Sequence, residues 1–148
     1  MASHFRDRRR IEFYETDMAG IVHFSNFFRF MESAEHAFFR SLGLALHQNH
    51  DGHMSGWARV DAQCAYRLPL HYMDEVEIEL IVREKKKSSL AYDFTFRRVA
   101  DARGPTTSDE VAQGRLSVVY VTSSAGGRMR ASAMPEAVAH AIQVAPRG

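Results

Sequence analysis

An α+β fold class follows from two observations. Apolar residues recur at helical spacing once, between Ser25 and Leu42, and behind that stretch come four segments in which apolar and polar residues alternate. A helix with one apolar stripe and strands with one apolar face each must bury those surfaces. Packing the helix on an antiparallel sheet satisfies both.

Taken in order, residues 8–14 begin as a strand, with Ile11 and Phe13 on one face and Glu12 and Tyr14 on the other. A loop through Asp17 and Gly20 follows. The helix then places Phe27, Phe30, Met31, Ala34, Phe38 and Leu42 on one side, while Arg29, Ser33, His36 and Arg40 fill much of the rest. Ser25 suits the N-cap, and Gly43 suits the left-handed residue that commonly ends a helix. Residues 44–56 are polar, carry three histidines and two glycines, and read as a loop. Strand alternation resumes with Ala58, Val60, Ala62, Cys64, Tyr66 and Leu68, then with Val76, Ile78, Leu80 and Val82, then with Leu90, Tyr92, Phe94 and Phe96. The last strand, 110–122, carries Ala112, Leu116, Val118 and Tyr120 on one face, after a loop over 100–109 that contains Gly104-Pro105. Residues 134–143 read as a short terminal helix.

The chain of 148 residues is one domain's worth, so one core spanning 1–148 is expected. Its apolar runs fall far short of the ~20 residues needed to cross a bilayer, and the basic start Arg6–Arg10 is followed by no signal-peptide core. These features predict a cytoplasmic protein without membrane insertion. Cys64 is the only cysteine, which excludes an internal disulfide and argues against a thiolate zinc site. A net charge of +1 gives no electrostatic footprint for nucleic acid. The compact basic runs Arg8-Arg9-Arg10 and Lys85-Lys86-Lys87 read either as solvated strand ends or as anion sites.

The segment Tyr14–Glu32, YETDMAGIVHFSNFFRFME, carries the chemistry. Asp17 sits on the loop leaving a strand, Gly20 permits a tight turn, and the helix start aims unpaired N–H groups at whatever lies beside the carboxylate. A carboxylate beside such donors suits acyl transfer, since the donors stabilise the oxyanion that develops on a carbonyl. An isolated aspartate before a helix more simply forms an Asx-turn.

The positions Asp17, Gly20, Val22, Asn26, Phe27 and Glu32, the run Arg40-Ser41-Leu42-Gly43, and Tyr66, Pro69 and Asp74 further on resemble the 4-hydroxybenzoyl-CoA thioesterase-like branch of the hotdog-fold superfamily, which includes the tol-pal-associated acyl-CoA thioesterases. The resemblance covers nearly the whole chain. It implies a curved antiparallel sheet of about five strands wrapped around one long central helix, paired edge to edge in a homodimer or a further homotetramer, with active sites at the interface. It also implies hydrolysis of an acyl or aroyl thioester to free acid and CoA. Asp17 would be nucleophile or general base, and the Phe24 backbone N–H the key oxyanion donor. No cofactor is implied, because CoA is part of the substrate. The chain departs from the tol-pal-associated pattern at Phe24, where those members usually carry histidine, and at Phe13, where they often carry tyrosine. Those departures bear on acid–base assistance and substrate preference, and leave the aspartate and the backbone oxyanion site intact.

Other candidates surround this pair. Glu32 is a second carboxylate, used catalytically in another hotdog branch, with Arg29 and His36 at i−3 and i+4 as structural partners. His23 either shuttles a proton or packs in the loop. Gly20 and Asn26 belong to the motif that meets the substrate, and Lys85, Lys86, Lys87 and Ser88 sit where the resemblance places CoA phosphates, with Arg128 and Arg130 as further cations. His47, His50 and His53 lack the second shell of a metal site and read as pocket border or solvent-facing residues. Besides thioester hydrolysis, two readings stay open: a non-catalytic module binding acyl thioesters or acyl-carrier protein, and a hotdog hydratase or dehydratase.

Overall fold

The computed structural model describes residues 1–124 and 126–146, with the backbone alone at His50. Among them the strands are β1 (His4–Arg10), β2 (Gln48–His50), β3 (His53–Tyr66), β4 (Glu75–Lys85), β5 (Ser89–Asp101), β6 (Gly104–Ser123) and β7 (Arg130–Ala131). They form one seven-stranded antiparallel sheet in the order β1-β4-β5-β6-β3-β2, with β7 also pairing β6. The long helix α1 (Asn26–Ser41) packs on one face, and α2 (Glu136–Ala141) is short. No helix among the described residues is long and apolar enough to cross a membrane.

The helical spacing is realised in the burial. Phe27, Phe30, Met31, Ala34, Phe38 and Phe39 of α1 are buried against Val76, Ile78, Leu80 and Val82 of β4 and Leu90, Tyr92, Phe94 and Phe96 of β5. Each large apolar side chain sequestered this way stabilises the fold by roughly 1.5–3 kcal/mol relative to exposure. Helix and sheet approach closely at Gly114, where an added Cβ would lie 2.6 Å from Met31 Sδ. Gly43, at φ +72, ends the helix as expected.

Four expectations need correction. The sheet has seven strands where about five were expected. The first strand covers His4–Arg10, while Phe13–Glu15 form a 3-10 turn with Phe13 and Tyr14 exposed. β1 was hidden because charge pairs hold it in place of apolar alternation. Arg8 and Arg10 reach Glu75, and His4 and Arg6 reach Glu79 across the β1–β4 ladder. Strand structure also enters the polar segment 44–56 and the segment 100–109, where β5 turns into β6 with Asp101 opposite Gly104. Pro105 is tolerated because β6 has a neighbour on one side only there.

The fourth correction concerns β3. An unbroken alternation puts every even residue from Ala58 to Leu68 on the core face, but the register slips between Arg59 and Asp61, leaving Val60 as a bulge that is 61% exposed. The inward parity therefore changes. Before the bulge Trp57 and Arg59 lie opposite Tyr120 and Val118; after it Ala62, Cys64 and Tyr66 lie opposite Leu116, Gly114 and Ala112. A guanidinium is thereby aimed beneath α1, and a tyrosine reaches the helix start.

Candidate active site

The Asp17 loop is a tight hairpin. Asp17 N–H donates to Ile21 O at 2.8 Å, Gly20 N–H to Asp17 O at 3.0 Å and His23 N–H to Glu15 O at 3.0 Å, while Thr16 and Val22 form an antiparallel bridge. Gly20 lies at φ +82, which the turn requires and which a side chain would strain. The hairpin is fastened from three sides. Asn26 Nδ2 donates to Glu15 O at 2.8 Å, tying it to the first turn of α1. Val22 N–H donates to Leu70 O at 2.8 Å, in a segment that Asp74 closes by accepting His71 N–H. The buried Glu15 carboxylate pairs with Arg9 at 2.6 Å and accepts Glu12 N–H at 2.8 Å, and the Arg9 guanidinium lies 4.2 Å from the centre of the Phe30 ring.

On this frame Asp17 Oδ1 accepts Ala19 N–H at 2.8 Å, the Asx-turn that an isolated aspartate favours. The second oxygen, Oδ2, takes no donor among the described residues. The carboxylate is half-buried, so the turn fixes its direction while one lone-pair face stays available.

Phe24 opens the helix. Asn26, Phe27 and Phe28 N–H donate to the carbonyls of His23, Phe24 and Ser25, so the helical turn begins earlier than α1 itself. Phe24 N–H is one of the orphan donors this leaves, and no acceptor takes it among the described residues. Ser25 does not cap through its side chain, and its backbone is already helical. Its Oγ instead lies 2.7 Å from His23 Nδ1, which also accepts Ser25 N–H at 3.3 Å. The backbone bond makes Nδ1 the acceptor, placing the proton of the neutral ring on Nε2. The His23 ring stacks on Phe24 at 4.6 Å, and both are exposed.

The structure therefore brings Asp17, Gly20, His23, Phe24 and Asn26 together. Glu32 lies eight residues beyond Phe24, about 12 Å along the helix. It is exposed, 3.7 Å from Arg59, and the two residues border cavities of about 150 and 220 Å³. Lys85 to Ser88 lie at the opposite end of β4 from the turn that touches the Asp17 hairpin. There Lys85 Nζ donates to Ala139 O at 2.6 Å and Ile142 O at 2.8 Å, closing α2, while Lys86 pairs with Glu84 and Ser88 O accepts Tyr120 N–H. Lys87 is exposed beside them. At the same end a cleft of about 600 Å³, lined by Gln48, His53, Arg128 and Arg130, adjoins an apolar slot of about 140 Å³ between Met54, Trp57, Val121 and Met129.

No group of three His, Cys, Asp or Glu among the described residues is placed to hold a metal ion. The His50 side chain lies outside the described residues. Sequence reasoning also passed over Glu15 and its pairing with Arg9, a spacing of six residues that matches no motif. It missed Glu35 as well, a fully buried carboxyl on α1 paired with Arg59 at 2.5 Å. A charge on the apolar face of the helix was the available signal.

Tyr66 links the two halves of the site. Its hydroxyl donates to Phe24 O at 2.9 Å, and its ring meets Phe27 and Phe24 edge-on. Burial, with Cys64 beside it, pushes the phenol up to about 12.

One central helix wrapped by an antiparallel sheet, with a carboxylate hairpin against the helix start, is the hotdog architecture of thioester hydrolases. The chain belongs to the thioesterase-like superfamily, whose family model matches residues 11–142. An Aquifex aeolicus protein provisionally named an esterase is 35% identical over 111 residues, covering 74% of this chain and 86% of that protein. A 1,4-dihydroxy-2-naphthoyl-CoA hydrolase of Prochlorococcus marinus is 27% identical over 112 residues, covering 71% and 72%. Among solved structures, 4-hydroxybenzoyl-CoA thioesterase from Pseudomonas sp. strain CBS-3 superposes with a TM-score of 0.79 at 22% identity, over 94% of this chain and 99% of that one.

Proposed function

We propose that this protein hydrolyses acyl-CoA or aroyl-CoA thioesters, with Asp17 as nucleophile or general base and Phe24 N–H as the oxyanion donor. The observation that carries this reading is the shared frame. A carboxylate with one oxygen that takes no donor and a helix-start N–H that finds no acceptor among the described residues are fastened to one hairpin by Glu15 and Asn26. Aromatic acyl groups are favoured by the exposed rings of Phe13, Phe24, Tyr66 and Tyr72 around that hairpin and by the aroyl-CoA esters for which relatives are named.

In the nucleophilic route an Asp17 oxygen adds to the thioester carbonyl, the C–S bond breaks, CoA leaves as thiolate, and water cleaves the mixed anhydride. In the general-base route Asp17 takes a proton from water, which adds to the carbonyl before the same C–S bond breaks. Both pass through a tetrahedral oxyanion, where Phe24 N–H and the positive end of the α1 dipole act. Losing such a donor raises the barrier by ~3 kcal/mol. Neither route needs a cofactor beyond the CoA of the substrate. We place the reaction in the cytoplasm, in keeping with a lone unpaired cysteine.

The site is completed by a second copy of the chain. β3 has β6 on one side, while β2 covers only Met54 and its neighbours on the other, so the edge from Ala58 to Tyr66 is unpaired among the described residues. Two-fold antiparallel pairing along that edge carries the Tyr66 end of one copy to the Ala58 end of its partner. The partner's apolar slot and basic cleft then adjoin the Asp17 hairpin, an arrangement suited to the pantetheine arm and phosphates of CoA, or to the same arm on a carrier protein. A homodimer is the minimal assembly this geometry needs.

The test is thiol release from a panel of short, long and aromatic acyl-CoA esters by the wild type and Asp17→Asn. The variant should lose at least about 10³-fold in kcat, roughly 4 kcal/mol of barrier, while keeping its melting temperature and ester affinity. Near-normal turnover by Asp17→Asn sinks the role of Asp17. Saturable ester binding by a folded wild type that releases no thiol makes the protein a binding module.

A further inference from the structure

We infer that Tyr66 is a positioning residue for the oxyanion donor, acting through the Phe24 backbone. The inference rests on the reading of Phe24 N–H given above. Two peptide planes meet at Phe24. The plane carrying its N–H is held where His23 O accepts Asn26 N–H at 2.9 Å. The plane carrying its carbonyl has two donors, Phe27 N–H at 3.3 Å and the Tyr66 hydroxyl at 2.9 Å. The first is long for an N–H···O bond, so the tyrosine supplies the firmer hold. With both planes pinned, the direction of the Phe24 N–H has little freedom.

The tyrosine arrives there by construction. The Val60 bulge changes the parity of β3, so Tyr66 stands on the inward face opposite Ala112, and its ring is wedged edge-on against Phe27 at 5.2 Å. The hydroxyl lies 42 positions from its acceptor in sequence, on the strand whose outer edge is unpaired. The bond is exposed, and an exposed bond of this kind adds little to net stability. Orientation is what it supplies. The phenol stays protonated at every pH at which a thioester assay is run, so the donor is always present.

Tyr66→Phe removes the hydroxyl and keeps the ring. In 15N-labelled protein without substrate, the Phe24 amide resonance should shift and its hydrogen exchange should quicken. An unchanged Phe24 amide overturns the inference whatever the turnover. Against the best ester, kcat should fall about tenfold, as for a reacting group held slightly out of place, with KM within about twofold and the melting temperature within about 2 °C. A kcat within twofold of wild type, or a raised KM at unchanged kcat, overturns it too. The underlying reading fails by a different result, wild-type rates in Asp17→Asn.

Discussion

Arg59→Met removes the one cation that, among the described residues, faces a fully buried carboxyl. Glu35 is 0% exposed on the apolar side of α1; its Oε1 takes Arg59 Nη2 at 2.5 Å, and its Oε2 accepts no close hydrogen bond among the described residues. The Tyr92 hydroxyl, also buried, lies beside the carboxyl and works with Arg59 to hold it down, though it makes no close hydrogen bond among the described residues. Burial pushes the Glu35 carboxyl up from its ordinary value, and Arg59 opposes that rise. A carboxyl raised in the folded state binds its proton more readily there than in the unfolded chain. Its contribution to stability is therefore complete below the ordinary value of 4.5 and is lost as pH climbs through the raised value. Without Arg59 the rise is larger, and the loss at neutral pH grows. Removing one partner of a buried pair costs about 3–5 kcal/mol; since the Arg59 side chain is itself 30% exposed, the lower end, about 3 kcal/mol, is expected at pH 8. The deficit should shrink at pH 5. Glu35→Leu combined with Arg59→Met should recover most of it, because the orphaned charge is then gone. Urea unfolding followed by circular dichroism, at one fixed protein concentration, measures all three. A loss below about 1 kcal/mol at pH 8, or one larger at pH 5, refutes the argument.

Three further changes test the assembly and the cationic end of the sheet. Val60→Lys puts a charge in the middle of the unpaired β3 edge and should convert the sedimenting species to monomer with a matching fall in turnover; a wild type that is monomeric and fully active contradicts the two-chain site. Lys85→Met frees two carbonyls at the end of α2 and should lower stability by about 1 kcal/mol at unchanged KM, whereas Arg130→Ala should raise KM for the CoA ester at unchanged melting temperature.

The helix and strands β4 and β5 were legible because one face of each meets an apolar core, which writes its period into the residues. β1 was legible only at its last three residues, because its partners are glutamates on the outer face of the sheet and its pattern is one of charge. β3 was half legible. Its alternation is real on both sides of Val60, but a bulge leaves no mark in the residue types, so the inward placement of Arg59 could not be read. At the site, Asp17 and Gly20 sit within a few residues of each other and are recognisable by spacing. Glu15, Arg9 and Tyr66 act through contacts made only after folding, and Lys85 is drawn away from the cationic cleft by α2, whose position no local pattern encodes.

Cys64 stands on the inward face of β3, half-buried, two residues before Tyr66, and burial pushes its thiol up. Acyl exchange with a thioester and disulfide exchange with free CoA both require the thiolate. An enzyme surrounded by its own substrate meets acyl donors continually, and a reactive cysteine near the site would become acylated and accumulate as a dead-end adduct. By disfavouring the thiolate, burial at Cys64 works against that self-modification.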